Sequence, residues 1–143
     1  MPTLNEKLLT LRFMGDLNAS AREKVVRAFE ATGTEKTLPP ATQIFQEGDL
    51  DSDKGYVLLQ GDIRVLKPSA PEIVVSAPEL LGEMARFNPT AARTATIEAV
   101  DEVRVLAFAW SRFDEALTRM CSPEESEQIQ NVLHGYAWDH FTE

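Results

Sequence analysis

The sequence predicts a mainly β domain with helices at both ends, a small barrel or jelly roll. Two observations carry this. The apolar pattern has helical spacing in the first third, breaks into short β-branched and aromatic runs in the middle, and returns to helical spacing at the end. The middle runs follow one another at close spacing between turn residues, which suits a small closed or double-sheet β architecture. A chain of 143 residues, 43% apolar and 26% charged, can bury one real core and is not compositionally disordered.

The elements follow in order. Leu4, Leu8, Leu9, Leu11 and Phe13 give a short first segment an apolar face. Ser20 and Glu23 form a capping box, with Val25, Val26, Ala28 and Phe29 at helical spacing behind it. Gly33 supplies the stop and Pro39-Pro40 breaks any continuation. Strands are expected at Gln43-Ile44-Phe45, Tyr56-Val57-Leu58-Leu59, Ile63-Arg64-Val65-Leu66, Ile73-Val74-Val75, Thr94-Ala95-Thr96-Ile97 and from Val103 to Phe108. Gln60-Gly61-Asp62 reads as a tight hairpin between two of them. Ser111 to Asp114 is a second cap pattern. Ser122-Pro123-Glu124-Glu125 is a third and the strongest, with a cap serine, proline at the first helical position and an acid three residues on. The last helix sets Ile129, Val132, Leu133, Tyr136 and His140 on one face, with Trp138 roughly opposite. The expected organisation is one domain over 1–143, helical over 1–38, a β-roll over 39–110 and C-terminal helices over 111–143.

Charge narrows the function classes. Fourteen Lys and Arg stand against 23 Asp and Glu, a net charge of -9, which argues against general binding to nucleic acid or anionic membrane. No apolar stretch approaches the roughly 18 residues of a spanning helix, and 1–11 lacks the apolar core of a signal peptide. Cys121 is the one cysteine and, with His134 and His140 as the histidines, falls short of the four Cys and His ligands of a structural zinc site. Both histidines are expected at the surface. Glu47, Asp49, Asp51 and Asp53 lack the glycine placement of a calcium loop and read as a solvated turn. No nucleophile–base set emerges, so neither catalytic residues nor a metal are expected.

One stretch does carry chemistry. From Leu81 to Thr96 the sequence gives a glycine-opened helical turn, a loop, and an arginine at the start of a strand. A helix N-terminus offers free backbone N–H groups to an anion. Gly82 lets backbone approach closely, Arg93 can hold phosphate oxygens with a planar two-pronged donor, and Thr94 adds a hydroxyl. A carboxylate beside them, Glu83, suits a sugar hydroxyl. Phosphate, ribose and a small donor–acceptor set describe a nucleotide.

Gly82-Glu83-Met84-Ala85 followed by Arg93-Thr94-Ala95-Thr96 resembles the phosphate-binding cassette of cyclic nucleotide-binding domains. The segments from Pro39 to Asp49 and from Tyr56 to Val65 resemble that family's first strands and next hairpin in the right order. The resemblance covers about residues 13–120. It implies a β jelly roll (double-stranded β-helix) with N-terminal helices and a C-terminal lid helix. It implies that Glu83 accepts from the ribose 2′-hydroxyl and that Arg93 pairs with the cyclic phosphate. Backbone at Gly82 and Ala85 would hold sugar and phosphate, with Met84 between them and Thr94 touching phosphate or base. Val74 or Val75 would line the base, and Tyr136 or Trp138 is the candidate lid. Arg86 departs from the aliphatic residue usual at its place, and 87–92 contains no glycine.

The expected function is a stand-alone, non-enzymatic, cytoplasmic sensor of cAMP or cGMP, without further cofactor. Its C-terminal helix would relay occupancy to an effector protein or a second copy, since 122–143 holds no Lys or Arg with which to read DNA. The alternative is a degenerate jelly-roll scaffold that contacts proteins without nucleotide, with Glu83 and Arg93 a plain ion pair.

Overall fold

The computed structural model describes residues 3–48, 53–68, 70–82 and 95–141, excluding the side chains of 136–141. Helix α1 (Leu4–Leu9) leads through a 3₁₀ turn (Arg12–Asp16) to α2 (Ala19–Thr32). Eight strands follow among the described residues: β1 (Thr34–Leu38), β2 (Gln43–Phe45), β3 (Lys54–Gln60), β4 (Asp62–Leu66), β5 (Ile73–Ser76), β6 (Glu79–Leu81), β7 (Thr96–Ala99) and β8 (Val103–Ala109). Helices α3 (Trp110–Met120) and α4 (Pro123–Phe141) close the chain.

The strands form two four-stranded sheets, ordered β1-β8-β3-β6 and β2-β7-β4-β5. First pairs with last, second with seventh, third with sixth and fourth with fifth, all antiparallel. This nested pairing is the jelly roll. β1 begins at Thr34, so strand structure starts inside the stretch expected to be helical. Its Thr34-Glu35-Lys36-Thr37 run is exposed and polar, as suits an edge strand, and offers no apolar alternation to read.

Strand alternation separates two cores. Val57, Leu59, Leu80, Leu106 and Phe108 face the helices and pack with Leu8, Phe13, Met14, Val25, Phe29, Phe113, Leu117, Ile129 and Leu133. Leu58, Ile63, Val65, Leu81, Ile97, Val103 and Val105 face into the roll with Phe45. Phe29 stacks on Phe113 at 4.6 Å and meets Phe108 edge-on at 5.2 Å, which seats α2 and α3 on β8. Each such buried side chain contributes about 1.5–3 kcal/mol. Exposed pairs such as Arg27–Glu23 contribute about 0–1 kcal/mol. Apolar burial therefore dominates.

Gly61 is not a hairpin. β3 and β4 lie in different sheets, and Gly61, at φ +97°, turns the chain from one to the other. A Cβ there would meet Val103 Cγ1 at 2.8 Å and the Glu102 carbonyl at 3.0 Å. The turn chemistry was legible, but the partner sheet depends on distant pairing.

The caps also differ from expectation. Asn18, not Ser20, caps α2 by accepting from the Ala21 N–H at 2.8 Å. Ser20 instead donates to Glu125, which also forms an ion pair with Lys24. These contacts bind the first turn of α4 to α2. Ser122 caps α4 as expected, accepting from the Glu125 N–H at 3.2 Å. α3 takes its cap from far away: Asp53 accepts from the Ser111 N–H and hydroxyl, both at 2.8 Å, and its carbonyl accepts from the Trp110 N–H at 2.7 Å. Asp53 was expected to be a solvated turn residue and is instead the tertiary cap of a helix. Asp53→Ala should lower stability by about 1 kcal/mol, as cap losses do. Glu47→Ala should stay within about 0.5 kcal/mol. Urea unfolding of both variants checks this.

Candidate functional site

Of the cassette, the described residues include Gly82. It follows β6, whose Glu79, Leu80 and Leu81 are all buried. Gly82 has φ +96°, and a Cβ would lie 2.8 Å from Phe45 Cζ and 2.9 Å from the Lys54 carbonyl. Both conformation and space therefore demand glycine. β6 ends just before this corner, and Glu83 is the next residue in the sequence. Glu83, Met84, Ala85, Arg93 and Thr94 lie outside the described residues. Tyr136 and Trp138 lie on α4, with side chains outside the description.

The roll interior supplies an apolar floor. Phe45, beneath Gly82, meets Tyr56 edge-on at 5.4 Å. Tyr56 and Val75 are partly buried against the same inner core. Cross-strand partners share a face. Val75 pairs with Ile63 and Ile73 with Val65, so both belong to the inner face. Val74 pairs with Arg64, whose guanidinium faces Glu72 at 3.5 Å and Glu98 at 4.0 Å on the outer face. Val74 is thus turned away from the roll interior, contrary to the expectation that it lines the base there. Ile73 was missed. It is an inner-face residue that remains 52% exposed, an apolar side chain at the rim of the roll. Period-two alternation from Val75 could have found it.

Glu79 and its partner Arg12 escaped the sequence reading. Glu79 is the buried polar side chain among the described residues, 5% exposed. Its carboxylate accepts from Arg12 Nη2 at 3.2 Å and from the Leu80 N–H at 3.2 Å. Burial pushes its pKa above the ordinary carboxylate value, partly offset by the Arg12 charge and the Leu80 N–H. Burial likewise raises the Cys121 thiol, with Glu125 adding to it. Lys24 holds the Glu125 carboxyl below its ordinary value.

Residues 35–120 match the family model of the cyclic nucleotide-binding domain, and the chain belongs to that family. The family is regulatory rather than catalytic. The chain is 32% identical over 79 residues to the Pycsar effector protein RsmPycTIR of Rhodovulum sp. (strain MB263), an overlap of 54% of this chain and 30% of that protein. The matched stretch is thus less than a third of that relative's length. The N-terminal domain of a transcriptional regulator from Streptomyces coelicolor A3(2) is 26% identical, with TM-score 0.67 and 94% of each chain covered. The regulatory domain of Toxoplasma gondii PKA, crystallised with cAMP, shares the fold at TM-score 0.61 and 22% identity, over 87% of this chain and 45% of that one. Among the described residues no helix is long and apolar enough to cross a membrane.

Two outcomes test the site's frame. Gly82→Ala should cost about 1–3 kcal/mol, because the new Cβ meets backbone and ring atoms at a positive φ. Thermal unfolding reads this. Glu79 holds its proton to higher pH folded than unfolded. Its contribution to stability is therefore fully present below the unfolded pKa and is lost as pH rises through the folded one. Glu79→Gln should flatten this decline from the carboxylate range towards neutrality, measured by urea unfolding across pH.

Proposed function

We propose that this chain is a cyclic nucleotide sensor, binding cAMP or cGMP in its roll and passing occupancy through α4 to an effector protein or a second copy. The whole chain, 1–143, acts as one sensing domain in the cytoplasm. The observation that carries this is the enforced glycine corner at Gly82, set over an aromatic floor and followed in sequence by Glu83, in a chain of this family. Glu83 accepts from the ribose 2′-hydroxyl and Arg93 pairs with the cyclic phosphate. Backbone at Gly82 and Ala85 holds sugar and phosphate, with Met84 between them, and Thr94 completes the set. The base lies against Val75 and Ile73, with Tyr136 or Trp138 over it. The likeness to a Pycsar effector protein supports a protein-directed output.

No chemistry on the nucleotide is required. The signal needs only that ligand favour one position of α4 over another, and it can shift that equilibrium by no more than the affinity difference. Calorimetric titration with cyclic nucleotides of all four bases, beside circular dichroism, tests the reading. The wild type should bind, and Arg93→Ala and Glu83→Ala should stay folded. Arg93→Ala should lose at least about 2 kcal/mol, roughly thirtyfold in Kd, as expected for unpairing a sheltered phosphate. A wild type that binds none of the four would leave the scaffold reading in its place.

A further inference from the structure

Glu79 is a carboxylate at 5% exposure three positions before Gly82. Burying such a group is costly even when it is paired, and leucine or glutamine would cost less in a purely structural role. Its cation comes from a different element. Arg12 belongs to the 3₁₀ turn, and its Nη2 reaches Glu79 Oε2 at 3.2 Å. The same turn is anchored by Phe13 and Met14, each 1% exposed. α4 packs on this turn and on α3, with Ile129 and Leu133 fully buried in the same core. At its other end, α4 is bound to α2 through Glu125, Lys24 and Ser20.

The turn is therefore gripped on two sides. One side holds a short, wholly buried strand ending at the cassette corner. The other carries the middle of α4, whose first turn is fixed elsewhere. These contacts form one connected path, from Gly82 along β6 to Glu79, through the exposed Arg12 to the turn, and from the turn to Ile129 and Leu133.

We propose that the Arg12–Glu79 pair is the joint that couples the cassette corner to the C-terminal helix, with Arg12 a positioning residue for Gly82. The ligand-driven half of this coupling rests on the nucleotide reading above. The mechanical half does not.

Amide exchange of the full chain tests both halves separately. Arg12→Met keeps the aliphatic stem and removes the charge, Glu79→Gln keeps the shape, and Arg27→Met removes a surface pair as control. Without nucleotide, Arg12→Met and Glu79→Gln should each speed exchange about tenfold both at Leu80–Gly82 and at Ile129–Leu133. The double variant should do no more than either alone, because both remove one interaction. Exchange that rises at one site only, or equally in Arg27→Met, overturns the joint. With cAMP or cGMP, the wild type should change exchange at Ile129–Leu133, and Arg12→Met should bind nucleotide without that response. A retained response overturns the ligand-driven half. A wild type that binds none of the four cyclic nucleotides overturns the sensor reading alone, since the nucleotide-free comparison decides the joint by itself.

Discussion

Strands β3 and β8 are buried on both faces, and the rest of the molecule is arranged around that constraint. They pair with each other through Tyr56–Ala107, Val57–Leu106 and Leu58–Val105, at the centre of one sheet. Their alternate residues enter two different cores. Val57 and Leu106 bring the helices down, while Leu58 and Val105 fill the roll. A shift of one residue would exchange the two sets, so register here is fixed from both sides. The positions of α2, α3, the 3₁₀ turn and the cassette corner all follow from it.

The corner at Gly82 shows how local chemistry and long-range packing meet. β6 has three residues, too few to hold a position by ladder hydrogen bonds alone. It is held because Leu80 enters the helical core and Leu81 the roll core. Gly82 then turns where Phe45 and the Lys54 carbonyl leave no space for a side chain. The corner is shaped by packing from both cores and by the lack of space above it.

Much of this was legible in the sequence. Runs with β-branched or aromatic alternation, such as Tyr56 to Leu59 and Val103 to Phe108, became β3 and β8 because one period carries both propensity and burial. Ser122 caps α4 because the serine, proline and glutamate act within one turn. What escaped depends on distance along the chain. β1 is polar and gains its place only by pairing with β8. Gly61 signals a turn but cannot say which sheet receives the chain. Asp53 looks like one acid among several until Ser111, 58 positions later, is placed beside it. In the candidate site, the sequence marked Gly82 as a special glycine, and its positive φ and crowded surroundings agree, while Glu83 and Arg93 lie outside the described residues. The choice of Ile73 and Val75 over Val74 needed the pairing with β4.

The two-sided strands also have a consequence for divergence. Inner residues such as Tyr56 and Leu58 line the roll, and outer ones such as Val57 and Leu59 face the helices. The roll interior and the helix-facing surface are therefore written on alternating letters of the same short word. A lineage can change one set while keeping the other, so the two faces can drift apart without the scaffold being rebuilt.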